Sequence, residues 1–176
     1  MPRLRRSPPG ANPWLVLRRS GIQGRGVYAR VDIPSGTRLI EYVGERISHA
    51  EADRRDAVER ARRHHTFLFI VNQRTVIDAR HGGNVSRYIN HSCDPNCEAR
   101  FHGSRIWIHA VRNIVAGDEL SYDYEYDWEP GFTLANLVDY ACRCGSANCR
   151  GTMVDVPAEQ REYWRSQLAR ARQLSA

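Results

Sequence analysis

Apolar positions fall along this chain in short runs, not long stripes. Between Leu15 and Tyr42 the runs WLVL, GVYA and LIEYV are broken by Gly and Pro, with DIPSG before the last of them. Such runs bounded by turn formers read as short strands joined by tight turns. FLFIV (Phe67 to Val71) and TVIDA (Thr75 to Ala79) flank NQR as a hairpin. RIWIHAV (Arg105 to Val111) alternates, with Ile106, Ile108 and Ala110 on one face. NIVAGDELSYDYEYD predicts a glycine turn and a further strand. Helical character begins at Ser48, which has capping-box spacing to Glu51. HAEADRRDAVERARRHH then supplies strong helix formers and opposite charges four apart. His64 and His65 end that helix, where they complement its dipole, and no chemistry is assigned to them. Residues 128–141 form a linker or small helix, and Asp155 with Pro157 opens a last helix, AEQREYWRSQLARARQ. Many short strands with peripheral helices make a β-rich α+β fold.

At 176 residues the chain is one catalytic-sized domain with a small appendage. No apolar run approaches the roughly 20 residues of a membrane span. The N-terminus carries charge but no apolar core of a signal peptide, which points to a cytoplasmic protein without a membrane partner. Residues 1–13 are rich in Pro and Arg and read as a flexible arm. All 26 Lys+Arg residues are arginine, which excludes a P-loop lysine, a Schiff base and a lysine general base. The lysine-free composition and small size point to a GC-rich bacterial source, with a bacterial cytoplasm or nucleoid as the expected location. Charge is uneven. Residues 1–30 hold arginines and no acid, and DELSYDYEYDWE (118–129) holds six acids and no base. The basic arm offers a weak attraction for nucleic acid, which the rest of the chain does not require. The acidic stretch, dense in Tyr and Trp, is either a solvated surface or a groove for a basic peptide.

Five cysteines without a secretory signal point to metal or free thiols, not bridges. Cys142, Cys144 and Cys149 form C-x-C-x4-C with Gly145 in the turn. A thiolate trio on a tight loop supplies three of the four soft ligands of a structural zinc, and Cys93 or Cys97 supplies the fourth. Gly21, Gly24 and Gly26 in SGIQGRGVYA precede a strand and do not open a helix, so they are no dinucleotide fingerprint. Their backbone N–H groups can cradle the charged end of a ligand.

Five segments in order carry a resemblance: GRGVYA (24–29), EYVGE (41–45), IDARHGGNVSRYINHSCDPNC (77–97), IVAGDELSYDY (114–124) and CRCGSANCRG (142–151). Over residues 15–153 the chain resembles a SET-domain protein-lysine methyltransferase with a post-SET zinc loop. The resemblance implies a fold of short curved sheets with a C-terminal pseudoknot, an exception to unthreaded topologies. The implied organisation is the arm (1–13), a SET catalytic domain (14–127), a linker and zinc loop (128–153) and a C-terminal helix (154–176). It also favours Cys93 over Cys97 as the fourth ligand of one structural zinc, beside Cys142, Cys144 and Cys149.

The resemblance implies methyl transfer from S-adenosyl-L-methionine to a lysine amine, an in-line displacement helped by alignment, a neutral amine and exclusion of water. Tyr124 matches the family's catalytic tyrosine, orienting amine and methyl; a free phenol has a pKa near 10 and is a poor base. Tyr122, two residues earlier and on the same face of a regular strand, would crowd the amine and favour mono- to dimethylation. Gly24, Arg25, Gly26 and Tyr28 would line the methionine side of the cofactor, with Tyr42 helping to form the pocket. Asn90 would bind the amino or ribose side, His91 adenine through its backbone, Arg87 would brace the turn, and Met153 would pack on adenine. Asp123, Glu125, Asp127 and Glu129 would surround the lysine channel and steer in a basic protein or peptide, such as a histone or nucleoid protein. Two other readings stand beside this one: a zinc-stabilised nucleic-acid-binding module, resting on the sequence pI of about 9.4 and the arm, and an inactive SET-like scaffold. Oligomeric state leaves no mark on the sequence.

Overall fold

The computed structural model describes residues 12–61 and 67–174. Most of the arm, and His64 and His65 with it, lie outside the described residues.

Among the described residues ten short strands and three α-helices follow one another, none of the strands longer than six residues. β1 (Leu15–Arg19) and β2 (Arg25–Ala29) form an antiparallel hairpin. β3 (Arg38–Tyr42), β8 (Cys97–His102) and β9 (Arg105–Ala110) make a three-stranded sheet in the order β3-β9-β8. β4 (Glu45–Ile47), β5 (Leu68–Asn72) and β6 (Thr75–Asp78) make a second, in the order β4-β6-β5. The β5–β6 pair is the hairpin expected around NQR. β7 (Asn90–His91) and β10 (Ser121–Tyr122) form a two-residue parallel pair, Asn90 beside Ser121 and His91 beside Tyr122. That pairing lays the segment of Asn90 and His91 beside the segment that leads into Tyr124. Tight glycine turns punctuate the sheets, among them Gly117 at φ 100 before β10, a conformation L side chains rarely take.

The alternation read in β9 holds: Ile106, Ile108 and Ala110 are fully buried. Ile108 and Ala110 join Val27, Ile33, Ile114 and Leu120 in the main core under the first sheet and hairpin. Ile106 joins Tyr42, Val71, Ile77 and Ala79 in a second cluster.

Helix α1 (His49–Ala61) starts where Ser48 Oγ accepts the Glu51 N–H, 3.3 Å. The reciprocal arm of a capping box is replaced, because the Glu51 carboxylate turns forward to Arg54 and Arg55. Arg55 then reaches Glu45 at 2.8 Å and the buried Asp78 at 2.6 Å, pinning a mainly polar helix to the second sheet. Helix α2 (Leu134–Asp139) has a full capping box between Thr133 and Asn136. The last helix begins with a 3-10 turn at Ala158–Gln160 and continues as α3 (Arg161–Leu174). Leu168 of α3 packs on Leu137, Val154 and Val156 in a separate C-terminal cluster ringed by aromatic side chains. No described helix is long and apolar enough to cross a membrane.

Candidate functional site

The parallel pair β7–β10 organises the site. Ser92 N–H extends the pairing to Tyr122 O, 3.2 Å. Asn96 clamps the incoming segment from both sides, donating to Glu119 O and accepting from Ser121 N–H, each at 2.9 Å. Buried polar groups so paired leave the backbone little freedom.

The strand does not continue to Tyr124, as regular alternation would have it. Asp123 Oδ1 accepts the Glu125 N–H, and Glu125 sits at φ 51. This Asx turn bends the chain directly after Tyr124. The two tyrosines still adjoin, ring centroids 4.9 Å apart, because the bend folds Tyr124 back over β7. Its ring meets the edge of His91 at 5.4 Å, and its hydroxyl donates to Ile89 O at 2.9 Å. Tyr122 stacks on Phe69, centroids 6.1 Å apart, and Phe69 meets Tyr42 and the half-exposed Phe101 edge-on. Burial pushes the phenols of Tyr122 and Tyr124 well above their ordinary value, and the neighbouring phenols push the same way. Both hydroxyls are therefore neutral at physiological pH, suited to orienting a group and unsuited to taking its proton.

A cavity of about 1280 Å³ opens against these rings. Gly24, Arg25, Tyr42, Arg87, Asn90, Tyr122, Tyr124 and Met153 all stand on its wall. Gly24, at φ 50, has open space where a Cβ would stand, so its backbone is accessible to a ligand. Arg25 lays its guanidinium over the Tyr88 ring, 5.2 Å from the centroid. Arg87 donates to Ala79 O and to the Tyr88 hydroxyl, each at 2.9 Å, and so ties the turn before β7 to the second sheet.

Gly26, Tyr28 and His91 are not on that wall. Their roles in the fold centre on two acids, Glu119, which has no expected role, and Asp123, which is expected at the channel mouth. The first is Glu119, whose carboxylate accepts from Ser20 Oγ at 2.7 Å, Tyr28 hydroxyl at 2.7 Å and Asn90 Nδ2 at 2.8 Å. Asn90 Nδ2 also lies 3.1 Å from Arg25 O, so this network fastens the glycine loop to β7. Gly26 leaves room for this carboxylate, since a Cβ there would lie 2.3 Å from Glu119 Oε1. Glu119 falls both in the acidic stretch, where it looks like any other charge, and in the motif IVAGDELSYDY, which gives it no role of its own.

The second group is Asp123, expected among the free acids at a channel mouth. It is half-buried in a two-pronged pair with Arg150, 2.6 and 2.8 Å, so its charge is compensated. Burial raises its carboxyl, but the Arg150 guanidinium and the Glu125 N–H outweigh this and leave it below the usual value. Glu125 and Asp127 remain on the cavity wall, and Glu129 does not reach it. His91, 4% exposed, accepts the Tyr124 N–H at Nδ1, 3.2 Å, which leaves Nε2–H to donate toward Cys93 Sγ at 3.4 Å.

The sulfurs of Cys93, Cys142, Cys144 and Cys149 all lie within 4.8 Å of one another. Tetrahedral zinc with Zn–S near 2.3 Å sets sulfurs about 3.8 Å apart, and Cys93 and Cys142 stand 3.7 Å apart. Backbone N–H groups of Arg150, Cys144 and Gly151 point at sulfurs from 3.3 to 3.4 Å, as thiolates require. The Cys142 thiol, then His91 and the Arg150 N–H, hold the Cys93 thiol below its ordinary value against the opposing effect of burial. The four residues fit a structural zinc. Cys97 is fully buried elsewhere, and that burial pushes its thiol up to about 12.

Comparison with known proteins agrees with this geometry. Residues 24–125 match the family described as SET domain. The chain is 40% identical over 143 residues to histone-lysine N-methyltransferase 2D of Homo sapiens, covering 79% of this chain and 2% of that protein. It is 40% identical over 145 residues to the histone-lysine N-methyltransferase, H3 lysine-4 specific, of Emericella nidulans, covering 76% and 11%. A solved structure described as ctPRC2 in an autoinhibited conformation bound to S-adenosylmethionine matches with TM-score 0.59 and 38% identity, over 65% of this chain and 15% of that one. The chain thus spans a small part of the length of these relatives.

Proposed function

This chain belongs to the SET-domain family, and from that membership we propose that it transfers a methyl group from S-adenosyl-L-methionine to a lysine side-chain amine of a basic protein. The observation that carries the reading is the cavity wall shared by the glycine loop, Asn90 and the Tyr122–Tyr124 pair. At about 1280 Å³ it exceeds the roughly 300–1,000 Å³ of a drug-sized site. A nucleoside-bearing donor and an incoming amine side chain fit together.

The Gly24–Arg25 backbone, Asn90 and Met153 would hold the donor, with Arg87 and Tyr42 shaping the pocket. The donor supplies an electrophilic methyl on a positively charged sulfur. Tyr124, its hydroxyl anchored on Ile89 O, orients the amine and the methyl along one line. Alignment of this kind removes entropy from the barrier instead of adding acid or base. The substrate amine arrives neutral, its proton lost to solvent, since neither phenol ionises near neutral pH. The rings of Phe69, Tyr122 and Tyr42 exclude water from the line of transfer. Tyr122, 6% exposed, restricts the space beside the amine and favours mono- to dimethylation. Glu125, Asp127 and Asp139 on the cavity wall favour a basic peptide, and histone lysine is the substrate in the relatives' names.

The test is transfer of radiolabelled methyl from S-adenosyl-L-methionine to an array of basic peptides. Transfer to lysine that falls at least 100-fold in Tyr124→Phe supports the reading. No transfer to any lysine peptide refutes it. Mass spectrometry of the product by Tyr122→Phe checks the finer statement, since that variant should move the product toward higher methylation.

A further inference from the structure

The four-thiol cluster and the tyrosine pair are joined by a closed circuit of bonds. Arg150, directly after Cys149, donates its backbone N–H to Cys93 Sγ at 3.3 Å. Its guanidinium grips both oxygens of Asp123. Asp123 stands between Tyr122 and Tyr124, and its Oδ1 lies 3.4 Å from His91 Nδ1. The Tyr124 N–H donates to that same His91 nitrogen, and the opposite ring nitrogen returns to Cys93. The circuit therefore runs Cys93, Arg150, Asp123, Tyr124, His91 and back to Cys93.

We infer that Arg150 is a positioning residue: it latches the closed thiol loop onto Asp123 and thereby sets where Tyr124 stands. The inference rests on the methyltransferase reading only for its effect on turnover.

A plain surface ion pair is the competing account, and the geometry separates the two. Exposed pairs contribute little because both side chains move and water screens them. Arg150 and Asp123 are 18% and 21% exposed. A second ion pair of this region, between Arg161 at the start of α3 and Asp155, is 48% and 58% exposed and makes one contact at 3.1 Å. A planar fork held by two short bonds also fixes orientation, which a single ammonium does not. The carboxylate so fixed accepts the Glu125 N–H and so shapes the bend that folds Tyr124 over His91. Through this bend the backbone on both sides of Tyr124 is set from the thiol loop.

The experiment uses the zinc-loaded chain and the variants Arg150→Met, Arg150→Lys, Asp123→Asn and the double Arg150→Met/Asp123→Asn. Arg161→Met serves as the control. Zinc content is measured by colorimetric release, S-adenosyl-L-methionine affinity by titration, and turnover on a basic peptide. The environment of Tyr124 is read by fluorine NMR of 3-fluorotyrosine-labelled protein, with Tyr124→Phe assigning the resonance. Arg150→Met should keep its zinc and bind the donor within twofold of the parent, yet lose at least tenfold in kcat and shift the Tyr124 resonance. Arg150→Lys should recover part of both effects. The double variant should be no worse than the worse single one, because both break one contact. An unmoved Tyr124 resonance in zinc-loaded Arg150→Met overturns the latch. So does loss of zinc in step with turnover, which would make Arg150 a support of the thiol loop alone. If the parent chain methylates no peptide, the methyltransferase reading fails, while the fluorine resonance still decides the latch.

Discussion

Gly26→Ala is a sharp test of the Glu119 network. Gly26 lies within β2 and does not need positive φ. On backbone grounds alone the change should stabilise by about 0.4–1 kcal/mol, through the unfolded chain. The fold says otherwise, because the new Cβ would sit 2.3 Å from Oε1 and 2.8 Å from Cδ of Glu119. The carboxylate must swing away, and Oε1 then gives up Ser20 and Asn90. Hydrogen bonds to a charged group contribute about 1.5–3 kcal/mol each. In this partly solvated place roughly 1 kcal/mol apiece is appropriate, about 2 kcal/mol together. Net of the backbone gain, destabilisation of about 1–2 kcal/mol is expected. At about 2–4 °C per kcal/mol for a chain of this size, the thermal midpoint falls by roughly 2–8 °C. Donor affinity should fall with it, since Asn90 loses an anchor. The assay is thermal unfolding by circular dichroism beside a titration with S-adenosyl-L-methionine, repeated in a Glu119→Ala background. There the carboxylate clash is gone and only the Ser20 Cβ contact at 3.0 Å remains, so alanine at 26 should cost less than in the parent. A midpoint that rises in the single variant, or falls equally in both backgrounds, refutes the reasoning.

Three further outcomes follow from the same structure. The phenols of Tyr42, Tyr122 and Tyr124 are raised by burial, so above about pH 10 the unfolded chain releases protons that the fold retains. Stability should therefore fall with rising pH in that window, by about 1.4 kcal/mol per pH unit per phenol, and absorbance near 295 nm should show these tyrosines titrating only with unfolding. Chelation should release one metal per chain and expose Cys93, Cys142, Cys144 and Cys149 to alkylation while the buried Cys97 stays unmodified; mass spectrometry of the alkylated protein counts them. Peptide KM should rise with ionic strength because Glu125, Asp127 and Asp139 face the cavity, and a KM constant from low to high salt would remove those acids from substrate capture.

Local pattern alone determined much of this protein. The hairpin around NQR, the buried face of β9, the two long helices and the thiol trio are written in spacings of a few residues. Short-range sterics and capping act within such spacings, so they survive in the sequence. The five ordered motifs extended this to the family and to part of the cavity wall, with Gly24, Asn90, Tyr122 and Tyr124 on it. Tertiary structure decided what lies between partners distant in the chain. Asp123 and Glu119 occur in one acidic run, yet one is bound to Arg150 and the other to Ser20, Tyr28 and Asn90. Composition cannot distinguish a compensated carboxylate from a free one, because the compensating group arrives from 27 to 99 residues away. The placement of Tyr124 is of the same kind. A regular strand would set it beside Tyr122, but an Asx turn, a left-handed Glu125 and the imidazole of His91 put it there instead. Periodicity describes a strand only while its hydrogen-bond ladder lasts, and here the ladder ends at Tyr122.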